Sequence, residues 1–334
     1  MWDIRKYGKE AKKEWDEFVT KSRNSTFLFM RGYMDYHSDR FVDHSLMAYR
    51  NGRLAAILPA NITGNILYSH QGLTYGGWLL AATGLDTTDV FRMWLAWLNY
   101  CRQEGLVKII YKPLPYIYSL RPSQEDLYML YLSNAHLDRT DISTTIDLRS
   151  NPGFNKLQKR HLKKNEGDFR CDLIKADDNK KISEFHRILR GCLAERHDVS
   201  PVHSEDEIRL LMTLFPENIR IWGGYRSVES EMLAGVAAYI DYPCVHCQYI
   251  ATTAEGRERD ILAPLFEEMI RHYTAEGFRY FDFGISNENG GRALNPGLNR
   301  QKTSYGGSGV VYQCFEINVT YALQLLPSEL WPPK

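Results

Sequence analysis

The same order of predicted elements occurs twice in this chain of 334 residues, and the repetition restricts the fold more than any single motif. In each half, amphipathic helices precede a strand hairpin, and a further helix is followed by an apolar strand. The two later helices both end in Glu-Gly, at Glu104-Gly105 and at Glu276-Gly277. Because five elements seldom recur in one order by chance, we predict a tandem duplication of an α+β module.

The spacing of apolar residues places the individual elements. We predict helices over 9–21, 86–103, 180–195, 205–214 and 261–275, and strands over 45–50, 54–58, 107–111, 219–225, 232–240, 244–252 and 280–284. Asn51-Gly52 between two apolar runs is typical of a hairpin turn, and Ser204 with Glu207 predicts a capping box. The turn-rich residues 149–153 favour modules over 1–149 and 150–318, with a C-terminal tail over 319–334.

Composition excludes several classes of protein. Lys plus Arg and Asp plus Glu number 41 each, so no global field attracts DNA or an anionic membrane. Six cysteines are too few for a disulfide-built fold, and the N-terminus has no apolar signal segment. We therefore expect reduced thiols and a cytoplasmic location. Residues 54–85 carry no charge, but polar residues and glycines interrupt them too often for a membrane span.

The second half carries the most specific motif. Phe281-Asp-Phe-Gly-Ile-Ser286 is followed by a Gly-Leu and Lys segment ending at Lys302, and then by Tyr305-Gly-Gly307. This arrangement, with a basic helix before Gly167, resembles the Fem-type branch of the GNAT acyltransferase superfamily. The resemblance implies two tandem GNAT-like modules, each a mixed, mainly antiparallel central sheet flanked by helices. It also implies transfer of an acyl or aminoacyl group to an amine, with a cell-envelope precursor among the acceptors.

The donor site departs from the family pattern. GNAT enzymes that use acyl-CoA bind its pyrophosphate on a Gly-rich loop, and the matching residues 253–261 contain one glycine. Free backbone N–H groups at the start of the next helix could still hold an anion, although the negative charges of three acidic residues in 253–261 oppose anion binding. We expect no tightly bound cofactor; acyl-CoA or aminoacyl-tRNA would be a donor substrate, and tRNA would bind only in that role. The candidate donor-binding residues are Gly256, Arg257, Arg259 and Gln248.

Three residues are candidates for catalysis. The resemblance gives Lys302 the role of stabilising the negative carbonyl oxygen, and a solvated surface lysine is the alternative. Asp282 lies on an apolar strand, so it is either a base with a raised pKa or a structural carboxylate bound to backbone N–H groups near 284–286. Strand alternation places His246 and Gln248 on one face, where His246 is a candidate base or an ordinary internal histidine.

Candidate acceptor-binding residues come from three segments. The basic cluster over 156–164 suits a phosphate, with Arg160 and Lys159 as the best candidates, or it is a solvated helix face. In the first module, Tyr75 and Trp78 either shape a pocket or fill the core. The segment over 193–204 adds Arg196 and His203.

We therefore predict that the protein is an N-acyltransferase or aminoacyltransferase that acts on a small-molecule or lipid-linked amine. The alternative is a non-catalytic protein that binds a nucleotide-sugar on a degenerate GNAT fold. A metal site is not expected, because Cys244 and Cys247 point to opposite strand faces and no second cysteine pair completes a zinc site. A serine hydrolase is not expected either, because the sequence lacks the Gly-x-Ser-x-Gly motif of that class.

Overall fold

The computed structural model describes residues 1–37, 39–164, 166–197, 201–228 and 231–326, except the side chains at 37, 196 and 197. These residues form two compact units. The first contains residues 1–141 and the described residues from 311 onward, and the second contains residues 142–310. The borders predicted at 149 and 318 are therefore displaced to 141 and 310.

The first unit is built on two small sheets. Its elements up to residue 132 are β1 (Trp2–Lys6), α1 (Lys12–Lys21), α2 (Arg31–Met34), β2 (Val42–Asp43), β3 (Leu46–Arg50), β4 (Arg53–Leu58), β5 (Asn61–Thr63), β6 (Ile66–Tyr68), β7 (Leu79–Leu80), α3 (Thr87–Gln103), β8 (Lys108–Tyr111) and α4 (Glu125–Leu132). One sheet has the antiparallel order β1-β3-β4-β7. Asn51 and Gly52 join β3 to β4 with positive φ angles of 50° and 79°, which confirms the predicted hairpin turn.

The second sheet of this unit has the order β2-β5-β6-β8 and contains one parallel strand pair. β6 and β8 pair from Ile66 opposite Lys108 to Tyr68 opposite Ile110, and α3 makes the connection between them. A capping box at Asp86 starts α3. The buried face of α3 carries Trp94 and Trp97, whose ring centroids are 4.7 Å apart. This aromatic cluster is the centre of the first core.

The second unit contains one larger sheet. Its elements are β9 (His136–Asp147, from residue 142 onward), α5 (Lys156–Lys164), β10 (Phe169–Ile174), α6 (Asn179–His197), α7 (Glu205–Leu214), β11 (Ile219–Arg226), β12 (Met232–Asp241), β13 (Cys244–Thr252), α8 (Ala254–Glu258), α9 (Leu262–Ala275), β14 (Tyr280–Ile285), β15 (Asn287–Glu288), β16 (Ala293–Leu294) and α10 (Pro296–Ser304). The strand order is β10-β11-β12-β13-β14-β9. β13 and β14 are parallel, whereas the other pairs are antiparallel.

The two units repeat one arrangement. In the first, α3 connects the parallel strands β6 and β8; in the second, α9 connects the parallel strands β13 and β14. The Glu-Gly ends predicted from sequence lie where these helices stop, with Gly105 and Gly277 at positive φ angles of 71° and 84°. The reciprocal capping box predicted at Ser204 and Glu207 is present at the start of α7. The predicted duplication is thus visible in the order and direction of the strands.

The chain returns to the first unit through β17 (Ser308–Asn318) and α11 (Val319–Leu325). Phe315–Asn318 pair with β8, and α11 packs on α3 with Val319 and Ala322 fully buried. The prediction of a tail from residue 319 is therefore wrong for this segment. Apolar residues at helical spacing extend to Leu326, and Asn318 caps the helix by accepting from the Tyr321 N–H at 2.9 Å.

None of the described helices has the length and apolar character needed to cross a membrane. All six cysteines are free thiols. Within the described ranges, no group of three or more His, Cys, Asp and Glu side chains is placed to hold a metal ion.

Candidate functional site

The parallel strands of the second unit separate at their carboxyl ends. Their pairing runs from Cys244 opposite Tyr280 to His246 opposite Asp282 and ends there. Beyond this point β13 continues beside β12, whereas β14 continues beside β9. The separation opens a crevice at the sheet edge where open α/β folds bind their ligands.

A cavity of about 290 Å³ adjoins this opening. Residues of β13, α6, α8, α9 and α10 line it: Cys192, Ile250, Thr252, Gly256, Arg257, Asp260, Leu262, Phe266, Leu298, Gln301, Lys302 and Tyr305. The charged groups in this lining are Lys302, Arg257 and Asp260. A volume near the lower end of ordinary ligand pockets suits a small acyl or aminoacyl group.

Lys302 reaches the cavity from α10. Its side chain is buried, with 6% of the residue exposed, and its Nζ donates to the carbonyl oxygens of Gly284 at 2.9 Å and Ile285 at 2.6 Å. Burial lowers the pKa of Lys302 to about 8, although the negative charge of Asp282 opposes this shift. An ammonium has three N–H donors, so one remains for a ligand. This environment differs from the solvated surface lysine that was the alternative.

Asp282 holds the ring of His246 in place. Its fully buried carboxylate accepts hydrogen bonds from Ser143 Oγ at 2.5 Å, Thr145 Oγ1 at 2.7 Å and His246 Nδ1 at 2.7 Å. Burial would raise the pKa of Asp282, but the hydrogen bond and charge of His246, with the two hydroxyls, hold it well below its usual range. Such a carboxylate is a poor proton acceptor, which does not suit the predicted role of Asp282 as the base.

The structural-carboxylate alternative fits Asp282 better, and the side chains of Ser143, Thr145 and His246 are among its partners. Because Nδ1 of His246 donates to Asp282, the neutral ring carries its lone pair on Nε2. His246 is mostly buried, with 14% of its side chain exposed. The pair therefore presents an oriented imidazole at the point where the two strands separate.

Gly284 lies between the lysine and the imidazole. Its φ angle is +78°, a left-handed conformation that glycine adopts without strain. A Cβ atom at this position would lie 3.5 Å from Cε1 of His246, while the Gly284 carbonyl accepts from Lys302. The glycine of the Asp-Phe-Gly motif thus has a physical role in joining the two groups.

A bulge in β13 changes the expected position of Gln248. Ala238 pairs with Cys247 and Ala237 with Tyr249, so Gln248 has no pairing partner on β12. The alternation that placed Gln248 on the face of His246 does not hold across this bulge. Tyr249 is hydrogen-bonded to Nδ1 of the buried His203 at 2.5 Å, and burial raises the pKa of Tyr249 to about 12.

The segment over 253–261 is helical rather than an open phosphate loop. Thr253 caps α8 by accepting from the Gly256 N–H at 3.0 Å, and the N–H groups of residues 257, 259, 260 and 261 bond to carbonyls within the segment. Pro264 has no N–H to offer in the first turn of α9. Gly256 is needed for packing, because a Cβ there would lie 2.5 Å from the Leu233 carbonyl oxygen. The free amides expected for an anion are thus largely committed.

The two arginines of this segment are also paired. Arg257 donates to Glu195 at 3.0 Å, and Arg259 donates to Glu255 at 2.7 Å. Arg257 lines the cavity with Gly256, whereas Arg259 is not among the lining residues. These ion pairs reduce the positive charge available to a donor phosphate.

The predicted acceptor residues fall into separate places. Lys159 and Arg160 lie on the exposed face of α5 and do not line the cavity, so their phosphate role stays a prediction. In the first unit, Trp78 packs on Trp97 with ring centroids 5.6 Å apart, and Tyr75 packs on Tyr118 at 4.5 Å. Both are buried, which fits the core alternative. The side chain of Arg196 lies outside the described part of the chain.

Sequence reasoning missed several residues around this site. Ser143 and Thr145 hold Asp282, and Tyr249 holds His203. Cys192 reaches the cavity wall from α6 and donates through Sγ to the Thr252 carbonyl at 2.9 Å. The polar run over 143–145 within a buried strand is the sequence signal that could have identified Ser143 and Thr145. The bulge in β13 has no comparable signal in the sequence.

Comparison with protein families matches residues 155–289 to the acetyltransferase (GNAT) domain. The matched residues lie in the second unit and include β13, α8, α9 and β14. Comparison with curated protein sequences gives no match.

Solved structures extend the similarity to the whole chain. The structure of FemX aligns with a TM-score of 0.65 and 10% identity, covering 97% of this chain and 99% of that one. L-PGS from Bacillus licheniformis aligns with a TM-score of 0.62 and 12% identity, over 94% and 96% of the two chains. A tandem GNAT protein from the clavulanic acid biosynthesis pathway aligns with a TM-score of 0.52 and 12% identity, over 96% and 99%.

These alignments confirm the predicted fold class of two tandem GNAT-like modules. The chain has the Fem-type GNAT acyltransferase fold.

Proposed function

We propose that this protein is an acyl- or aminoacyltransferase that joins an activated acyl group to an amine. The observation that supports this most strongly is the buried ammonium of Lys302 beside the cavity, fixed by the carbonyls of Gly284 and Ile285. A fixed ammonium with an unused N–H donor is the group required where negative charge develops on a carbonyl oxygen.

In the proposed reaction, the amine nitrogen attacks the carbonyl carbon of an ester or thioester donor. The oxygen of the tetrahedral intermediate accepts a hydrogen bond from the remaining N–H of Lys302. When the intermediate collapses, the new C–N bond is kept and the bond to the leaving oxygen or sulfur breaks. The leaving group takes up the proton that the attacking amine has lost and departs with it.

His246 is the proposed acceptor of the proton that the amine loses. Asp282 positions the ring and stabilises its positive charge once Nε2 is protonated, so Asp282 is a positioning residue.

The donor is proposed as acyl-CoA or aminoacyl-tRNA. The committed amides of 256–261 and the paired Arg257 and Arg259 favour a donor whose binding does not depend on a pyrophosphate loop. An aminoacyl ester meets that condition more easily than a CoA thioester. A cell-envelope precursor with a free amine is the proposed acceptor, and a cytoplasmic location accords with it.

The experiment that tests this function is transfer from acyl-CoAs and aminoacyl-tRNAs to a panel of amines, after a thermal-shift screen for donor binding. Lys302→Met should lower kcat by about 10²–10³. Lys112→Met is the matched control, because Lys112 is a buried lysine of the first unit whose pKa burial also lowers to about 8. Full turnover by Lys302→Met with an identified substrate pair would refute the proposed role.

A binding protein without transfer activity is the second candidate. The lack of an open pyrophosphate loop in 253–261 favours it over an acyl-CoA enzyme. Calorimetric binding of a nucleotide-sugar, with no transfer from any donor in the panel, would support this candidate.

A further inference from the structure

Helix α5 presents five cations on one exposed face. They recur at spacings of three and four residues, which places them on one side of the helix; they are Lys156, Lys159, Arg160, Lys163 and Lys164. The opposite side of the helix packs against the rest of the second unit, where Nδ1 of His161 lies 2.6 Å from the carboxylate of Asp260. We call these five residues the α5 stripe.

Among the described residues, no carboxylate forms an ion pair with the α5 stripe. None of its five side chains makes a hydrogen bond or an ion pair with another described residue, whereas the side chains of Arg149 and Arg259 are paired with carboxylates. Cations spaced by four residues repel one another and weaken a helix. The chain as a whole is neutral, so this local excess of charge calls for an anionic partner.

Exposed apolar groups accompany the stripe. Leu157 on α5 is 52% exposed, and Leu294 is 51% exposed. Leu294 lines an open groove of about 460 Å³ together with Pro296, Arg300 and Asn155, the residue that precedes α5. Cations beside exposed leucines are the composition of a surface that lies at a lipid interface.

We propose that the α5 stripe docks this protein on an anionic phospholipid membrane. The lysines and Arg160 would contact lipid phosphates, and Leu157 and Leu294 would enter the interface. Each basic residue near such a surface strengthens binding by about fivefold. A nucleic acid fits less well, because the stripe has no aromatic residue on which bases could stack. The proposal concerns location and does not depend on the proposed transferase activity.

The test is sedimentation of the full chain with vesicles of phosphatidylcholine, alone or mixed with phosphatidylglycerol. We expect binding to the mixed vesicles only. The double variant Lys159→Ala/Arg160→Ala should lower partitioning by about thirtyfold. Its matched control, Lys175→Ala/Lys180→Ala, removes two exposed lysines of the same unit and should bind like the wild type.

Leu157→Ser separates lipid from nucleic acid. It keeps every charge, so it should weaken vesicle binding several-fold through lost apolar contact. Equal binding to both vesicle types, or equal loss in the Lys175→Ala/Lys180→Ala control, would overturn the proposal. So would displacement of the protein from vesicles by tRNA combined with unchanged vesicle binding of Leu157→Ser, which would indicate a nucleic-acid surface instead.

Discussion

Replacing Lys302 with Met tests the buried ammonium without any knowledge of the substrate. Burial lowers the pKa of Lys302 from 10.5 to about 8, so the folded state binds this proton less tightly than the unfolded state. The wild type should therefore gain stability relative to Lys302→Met as the pH rises from about 8 to about 10.5. As the pH falls through about 8, that gain is lost.

The magnitude follows from the two pKa values. Their difference is worth about 3 kcal/mol, of which about 2.5 kcal/mol falls between about pH 7 and about pH 10. Other groups titrate in this range, but they are common to both proteins, so the difference between them isolates Lys302.

Urea unfolding followed by tryptophan fluorescence at the two pH values measures this difference. Lys112→Met should behave in the same way, because burial lowers the pKa of Lys112 to about 8 as well. Lys180→Met removes an exposed lysine and should give no pH-dependent difference from the wild type. If the Lys302→Met and wild-type stabilities change in parallel, to within about 0.5 kcal/mol, the ammonium is not held in the environment described.

Three further predictions follow from single contacts. Asp282→Asn should lower turnover by about 10²-fold, because the ring of His246 loses the partner that orients it; kcat measured against pH checks this. Gly284→Ala should lower the unfolding free energy by about 1–2 kcal/mol, because its φ of +78° is strained for alanine. Gly191→Ala, which lies in open space on helix α6, should raise the unfolding free energy by about 0.5–1 kcal/mol. Denaturant titration compares the two variants. Ser204→Ala should cost about 1 kcal/mol by removing the α7 cap, and an unchanged melting temperature would contradict it.

Features that depend on local periodicity could be predicted from the sequence. The hairpin at Asn51-Gly52 and the capping box at Ser204 each lie within a few residues, where turn and cap chemistry decide the structure. The duplication was predictable for the same reason, since each copy repeats its own local signals. The motif residues Asp282 and Lys302 do lie close together, since the negative charge of Asp282 acts on the pKa of Lys302.

Features that depend on distant partners could not be predicted. The roles of Asp282 and His246 follow from Ser143 and Thr145, which lie far away in sequence on a strand whose pairing no local pattern reveals. The bulge at Gln248 arises from the register between β12 and β13, so strict alternation misplaced that side chain. The charges of the segment over 253–261 indicated a phosphate site, but in the fold Arg259 pairs with Glu255 and Arg257 pairs with Glu195, which lies far away in sequence.

The return of β17 and α11 to the first unit has a consequence for synthesis on the ribosome. Residues 142–310 are contiguous, so the second unit can fold as soon as its own last residue has emerged. The first unit, although its N-terminal part is translated first, lacks Val319 and Ala322 in its core until the residues after 310 have also emerged. The usual order of domain folding, from the N-terminus onward, is therefore reversed, and a nascent chain exposed from the ribosome as far as residue 310 should hold a finished second unit and an open first one.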